Sequence, residues 1–482
     1  LPEAYWFTLA LYSLNQNGFN YFQGENMTVT QKHKPFVYIV GFAAALTGLL
    51  FGLDTGVISG ALPFIAKEFQ LTVGQSERLA TAVLIGAVLG TLGSGFISRR
   101  LGRHFAIWVA AFIFCVAAVL CALSVNLYML IAMRVILGFG IGLASFTAPL
   151  YLSEISPKNI RGALIAMFQF MITIGILVSY LTDTLFTPSG DWRWMFGVTF
   201  FPAFAMFLAV LILPKSPRWL MLRGRTDEAR QVLGRVRNQD EIDAEINEIE
   251  QTLKKTHRFR DVFRGKGFIK VLILGIGLQM IQQFSGINTV IYYAPAIFKM
   301  AGFVTPMAQM YATILVGVVN VLTTIIAVLY VDKWGRKPIL YFGLMTTTLS
   351  LLFLGYLFHI GIHTMTAQYL AVALVLTFIF GFAISLGPIA WIICAEIFPL
   401  QGRDLGVATT TAANWLSNAL VVATFLTLVT NYGPASTFGL FGLCGLVSLL
   451  IVIRFIPETK DVSLEKIEAN LVAGKACRHL GS

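Results

Sequence analysis

The chain has 482 residues, of which 57% are hydrophobic and only 12% charged, and its formal net charge is +11. Soluble domains carry about 25% charge, so this composition excludes a single water-soluble core and points to a bilayer as solvent. The basic excess does not imply a nucleic-acid partner, because most Lys and Arg lie in short loops beside apolar runs, where the positive-inside rule puts them.

Residues 1–26 are aromatic, contain no Lys or Arg, and so lack the basic start of a signal peptide. Met27 and a short polar stretch follow, and we expect the native chain to begin there. Segment 1–35 is therefore set apart from the fold. From position 36 onward, twelve apolar windows are long enough to cross about 30 Å of hydrocarbon as helices. They run over 36–60, 79–98, 105–124, 127–150, 162–184, 194–213, 268–298, 308–331, 338–358, 366–395, 405–430 and 434–456. Strands are excluded, because an open sheet edge finds no partners in lipid. The long polar interruption at 214–267 carries Val232, Leu233, Val236, Ile242, Ile246, Ile249 and Leu253 at helical spacing. It reads as two or three amphipathic helices joining six spans (36–213) to six spans (268–456), with a tail over 457–482.

The two halves echo each other. Gly102 and Arg103 in GSGFISRRLGRHF match Gly335 and Arg336 in VDKWGRKP, 233 positions on. Glu154 in SEISPKNIRG matches Glu396 in AEIFPLQGRD, and PKSPR at 214–218 matches PETK at 457–460. Three signatures in one order predict an approximate tandem duplication, an all-α membrane protein of two six-helix bundles. About 30 of the 35 Lys and Arg fall on the N-terminal tail, the even-numbered loops, the linker and the C-terminal end. This places both termini and the linker in the cytoplasm.

Two fully charged side chains stand out inside the spans, Asp54 in LLFGLDTGVISG and Arg134 in LIAMRVILGFG. With span 1 running outward and span 4 inward, both fall roughly 9–10 Å below the outer surface. A buried charge is costly and is kept for pairing or for transport. One reading is a permanent ion pair. The other is an acid that takes up and releases a proton, with Arg134 keeping it ionised until the pair parts and burial then favouring the protonated form.

Span 7 places Gln279, Gln282, Gln283 and Gly286 at i, i+3, i+4 and i+7, one polar stripe. Ser285, Gly286 and Pro295 predict a break that brings Asn288 round to the same cavity, and interrupted helices are where carriers bind substrate. Gln169, Asn320, Asn414, Asn418, Trp391 and Trp415 are further polar or indole groups within spans. Singly, each amide reads as an interhelical hydrogen bond. As a set, neutral donors and acceptors with flat apolar platforms suit a neutral polyhydroxylated ring. At the cytoplasmic ends, the symmetric Glu154, Arg161, Glu396 and Arg403, with Arg99, Arg103 and Arg336 of the loop signatures, predict ion pairs that latch the inner side.

The loop signatures resemble those of the major facilitator superfamily, and PKSPRW, PETK and QQFSGIN together resemble its sugar-porter family. The runs GLLFGLDTGVISGALPFI, APLYLSEISP, TDTLF and DWRWM look most like bacterial galactose–proton and arabinose–proton symporters, over essentially all of 36–472. The resemblance implies alternating access and uptake of a sugar driven by a proton gradient across the bacterial inner membrane. It implies a proton site at Asp54 paired with Arg134, and sugar contacts at Gln169, Gln282, Gln283, Asn288, Asn320, Trp391 and Asn414. The sequence departs from the family pattern at Arg99, where an acid is usual, at Lys215, where PESPR has become PKSPR, and at Val328, where a glycine is usual.

Two rival readings are an uncoupled sugar facilitator, against which Asp54 argues, and a non-transporting sensor, which would need a longer tail. No HExxH, GxSxG or GxxxxGK[ST] occurs, so the chain lacks the chemistry of a metalloprotease, hydrolase or ATP-driven pump, and we expect no enzyme. The five cysteines form no CxxC, so neither a redox nor a metal role is expected. No cofactor beyond the coupling proton is called for. The expected partners are a small neutral sugar such as galactose, glucose, arabinose or xylose, protons and the lipid bilayer, with the monomer as the functional unit.

Overall fold

The computed structural model describes residues 35–157, 160–254, 266–399, 402–460, 462, 466–467, 470–471 and 473–480. The segment before Pro35, with the expected start at Met27, lies outside the described residues. Seventeen α-helices are delimited among the described residues, with no strand. Spans 1–5 are α1 (Pro35–Glu68), α2 (Val73–Leu101), α3 (Arg103–Ala122), α4 (Leu127–Ile155) and α5 (Arg161–Phe186). Span 6 is divided into α6 (Trp192–Gly197) and α7 (Phe200–Val210). The linker supplies α8 (Pro217–Leu222), α9 (Thr226–Val236) and α10 (Gln239–Lys254). Span 7 is α11 (Lys266–Phe284) and α12 (Ile287–Met300), followed by α13 (Pro306–Trp334) and α14 (Arg336–Ile360). Span 10 is α15 (Met365–Ile384) with α16 (Leu386–Ile397), and α17 (Arg403–Phe455) completes the set.

Helix starts follow from short polar caps. Thr72 and Gln75 form a reciprocal capping box, and Asn126, Thr305 and Thr364 each accept a backbone N–H of the first turn. Among the described residues, eleven helical stretches are long and apolar enough to cross a membrane, with α6/α7, α11/α12 and α15/α16 each counting as one. One of them, α17, has 53 residues and would stretch roughly 80 Å if straight. It is two spans. At Gly433 φ is +80°, a conformation that favours glycine, and Pro434 follows. The rings of Phe425 and Phe438 lie 6.1 Å apart, whereas thirteen residues of straight helix would separate them by about 20 Å. The chain therefore reverses between them, and the twelve expected spans are present.

The helices approach closely where small residues allow it. Gly48, Gly52, Gly56 and Gly60 line one face of α1 against α5, and a Cβ built on Gly52 would lie 2.0 Å from the Ile172 carbonyl oxygen. Between helices in lipid, such dispersion contacts replace the hydrophobic drive that water supplies elsewhere. The outside of the bundle is apolar, with Leu92, Phe96, Leu185 and Leu443 all more than half exposed, as a lipid-facing belt requires.

The linker docks on the first bundle. α9 buries Ala229, Leu233 and Val236, and α10 buries Ile242 and Ile246. The buried Arg237 guanidinium donates to the carbonyls of Ile155 (2.8 Å) and Ser156 (3.0 Å), which closes the end of α4, while Glu245 offsets its charge.

Candidate functional site

Asp54 and Arg134 meet in the first bundle. Arg134 Nη1 donates to Asp54 Oδ1 at 3.3 Å, and both side chains are almost fully buried. The guanidinium also lies 5.5 Å from the centre of the Phe196 ring. The pair is incompletely satisfied: Asp54 Oδ2 and Arg134 Nε and Nη2 have no hydrogen-bond partner. A bidentate lock would use both oxygens. Uncompensated buried charges of this kind are costly, which keeps the pair breakable. α1 continues through Pro63 to Glu68, eight residues past the expected end of span 1, whereas Arg134 lies seven residues from the start of α4, as expected, and meets Asp54 at the same height. Pro63 does not stop the helix, and the run ALPFIA stays apolar beyond it.

Two further buried acids escaped the sequence reading, which counted only Asp54 and Arg134. Asp183 on α5 is fully buried and its Oδ2 accepts from Gly60 N at 3.2 Å. Glu77 on α2 is buried against the second bundle, and its carboxylate accepts the Thr427 backbone N–H (2.7 Å) and hydroxyl (2.6 Å). Both stand near a span end, where an acid reads as interfacial. Only the helix packed against each one buries it.

In the second bundle, Gly286 adopts φ +84° and separates α11 from α12, so the break expected from Ser285 and Gly286 is there. It turns Asn288 back, and Asn288 Nδ2 donates to Gln283 Oε1 at 2.6 Å. Gln283 Nε2 donates to Asn414 Oδ1 at 3.1 Å, and Asn414 Nδ2 lies 2.6 Å from the amide oxygens of both Gln279 and Gln282. Gln282 Nε2 donates to the carbonyls of Leu386 (2.7 Å) and Gly387 (3.2 Å), at the second broken helix, α15/α16. Five amides from α11, α12 and α17 thus form one network. Beside it, the buried Trp415 Nε1 and Asn418 Oδ1 have no partner, and the Trp415 ring meets Phe51 of α1 at 5.1 Å, across the two bundles. Gln169 on α5, Asn320 on α13 and Trp391 on α16 are not hydrogen-bonded to this network; Asn320 is buried, the other two partly so.

At the linker end, the ion pairs form within each half and repeat between halves. Arg103 Nη2 meets Glu154 Oε1 at 2.9 Å, and Arg336 Nη2 meets Glu396 Oε1 at 3.1 Å. The glycines before these arginines share one backbone conformation, φ +95° at Gly102 and +85° at Gly335. Ser216 adds a hydrogen bond to Glu154. Arg403 donates to the Phe398 carbonyl at 3.3 Å. Arg99 is exposed, and its carbonyl accepts from Trp219 Nε1. The side chain of Arg161 lies outside the described residues. Arg103 is thus occupied by Glu154 of its own half rather than by Glu396 of the other. The bundles touch instead at the end away from the linker, through Glu77–Thr427 and through Tyr180, whose hydroxyl donates to the Ile291 carbonyl at 2.9 Å.

The model of a family described as sugar (and other) transporters matches residues 40–471. The chain is similar to the galactose-proton symporter of Escherichia coli K12, with 46% identity over 94% of this chain and 98% of that protein. It is similar to the arabinose-proton symporter of the same organism, with 44% identity over 92% and 95%. Its fold is similar to the proton:xylose symporter XylE bound to 6-bromo-6-deoxy-D-glucose. The TM-score is 0.78 at 31% identity, over 90% of this chain and 98% of that one.

Proposed function

Because this chain belongs to the sugar transporter family, we propose that it is a symporter that imports a neutral monosaccharide together with a proton by alternating access. The observation that carries this reading is the division of labour between halves: an incompletely satisfied Asp54–Arg134 pair in one bundle and a network of neutral amides in the other. Asp54 takes and returns the proton. Protonation removes its charge and frees Arg134 to move, which couples the proton to the packing of α1 against α4. Gln282, Gln283, Asn288 and Asn414, with Gln169, Asn320 and Trp391 on facing helices, meet the hydroxyls and the flat face of the sugar. Arg99, Arg103, Glu154, Arg161, Arg336, Glu396 and Arg403 govern the inner end, on the cytoplasmic side of a bacterial inner membrane, and the monomer suffices.

The test is an external pH electrode in a lightly buffered suspension of de-energised cells expressing the chain, with galactose, glucose, arabinose and xylose added in turn. Alkalinisation with one sugar is the expected result and names the substrate. Asp54→Asn should abolish both alkalinisation and accumulation while leaving exchange of labelled sugar. Full accumulation by that variant would remove Asp54 from the proton path, and sugar entry without a pH change in the unaltered chain would favour an uncoupled carrier.

A further inference from the structure

At the linker end of the first bundle, a cavity of about 290 Å³ lies between the start of α3, the chain leaving α7, and α9. Its walls carry His104, Lys215, Gln231 and Arg235. Its one acid, Glu228, is engaged by Arg225. Lys215 and Arg235 are exposed and form no ion pair among the described residues. His104 Nε2 is occupied by the Val210 carbonyl at 3.0 Å.

The internal repeat identifies what this cavity lacks. In the second half, the Glu458 carboxylate accepts the first backbone N–H groups of α14, from Arg336 (3.0 Å) and Lys337 (2.9 Å). Glu458 follows Pro457 as Lys215 follows Pro214. α3 is the counterpart of α14 and follows the matching Gly102, but among the described residues no side chain accepts from its first backbone N–H groups. Where the signature of one half carries a carboxylate, that of the other carries Lys215, which lines the same cavity as His104 of α3. The start of α3 is itself electropositive, with orphan N–H groups. An anion from outside the chain would supply the missing charge. The cavity also has an apolar edge: Leu211, in its wall, is 61% exposed, and Phe105, next to His104, is 39% exposed. That edge joins the lipid-facing belt, so a headgroup can enter from the leaflet while its acyl chains stay in the membrane.

We infer that this cavity binds the phosphate group of an anionic phospholipid, held by Lys215, Arg235 and the start of α3. Basic pockets at the cytoplasmic ends of spans suit such headgroups, at about 1 kcal/mol for each Lys or Arg.

The experiment uses the purified full chain in nanodiscs and reads the melting temperature against phosphatidylglycerol content in a phosphatidylcholine background. A ligand that binds only the folded state raises it. The unaltered chain should be stabilised by phosphatidylglycerol. Lys215→Glu rebuilds the carboxylate cap of the second half. It should weaken the lipid response about tenfold, as reversal of one surface charge implies, and should melt no lower than the unaltered chain in phosphatidylcholine alone. Arg235→Gln should weaken the response in the same direction. Arg454→Glu, which removes an exposed basic residue elsewhere at the same end, should leave it intact. A matching rise with inorganic phosphate in pure phosphatidylcholine would keep the anion site and name a soluble occupant. Equal lipid responses from the unaltered chain and Lys215→Glu, or equal losses in Lys215→Glu and Arg454→Glu, would overturn the site.

Discussion

At the scale of single residues, the informative feature is how completely each buried polar atom is paired. Asn414 sits at the centre of the amide network and holds three of its hydrogen bonds. Asn414→Ala should leave Gln279, Gln282 and Gln283 competing for partners and weaken sugar affinity at least tenfold, about 1.4 kcal/mol or more. Equilibrium binding of labelled sugar checks this, and an unchanged affinity would take Asn414 out of the site. Glu458 gives a pH prediction. Burial alone would raise its carboxyl, but the backbone N–H groups of Lys337, Lys460, Arg336 and Thr459 together hold it below its ordinary value of 4.5. A depressed carboxyl stabilises the fold above its unfolded value, and that stability fades as pH falls through the folded value. The melting-temperature gap between the unaltered chain and Glu458→Gln should thus be full at pH 7 and close progressively below about pH 4.5. A gap that stays constant down to pH 3 would contradict this. Residue types were legible in the sequence: Asp54, Arg134 and the glutamine stripe announce themselves by being polar in apolar runs. Their partners were not. Arg103 takes Glu154, and Glu77 takes Thr427, through contacts between positions 51 and 350 apart in sequence.

At the scale of elements, composition and punctuation predicted most of what folds. The break at Gly286 was legible from Ser285, Gly286 and Pro295, and the reversal at Gly433 falls in the gap between the expected windows 405–430 and 434–456. The extension of α1 to Glu68 did not follow, because the expected window closed at 60 while the helix runs eight residues further, through Pro63. Close approach is the other lesson of this scale. Gly52 and Gly175 face each other at a Cα–Cβ distance of 2.9 Å for a built Cβ, so α1 and α5 touch backbone to backbone. Gly52→Val should push them apart and cost roughly 1–3 kcal/mol. That cost should appear as a lower melting temperature in detergent, with transport lost through displacement of Asp54 two residues on. A variant with unaltered melting and transport would show that this interface can relax.

At the scale of the whole molecule, the two bundles lean together at the end away from the linker, while each keeps its own ion pair at the other end. The duplication was readable from three short signatures, but which ends touch is a property of the assembled halves. Glu77 ties that contact. Glu77→Gln replaces a charge-assisted bond, worth roughly 1.5–3 kcal/mol, by a neutral one, and should shift the carrier about tenfold toward the form open at that end. Spin-label distances between the start of α2 and the end of α12 should lengthen; an unmoved distribution would assign Glu77 a local role only. The amide network bears on a different stage of the cycle. A carrier must return empty after each delivery, and an empty pocket full of orphan donors would have to haul water back with it. Here the five amides bond to one another, while Trp415 Nε1 and Asn418 Oδ1 beside them have no partner among the described residues. An emptied pocket whose amides bond to one another needs fewer waters to satisfy it, which lowers the cost of the homeward half of each turnover.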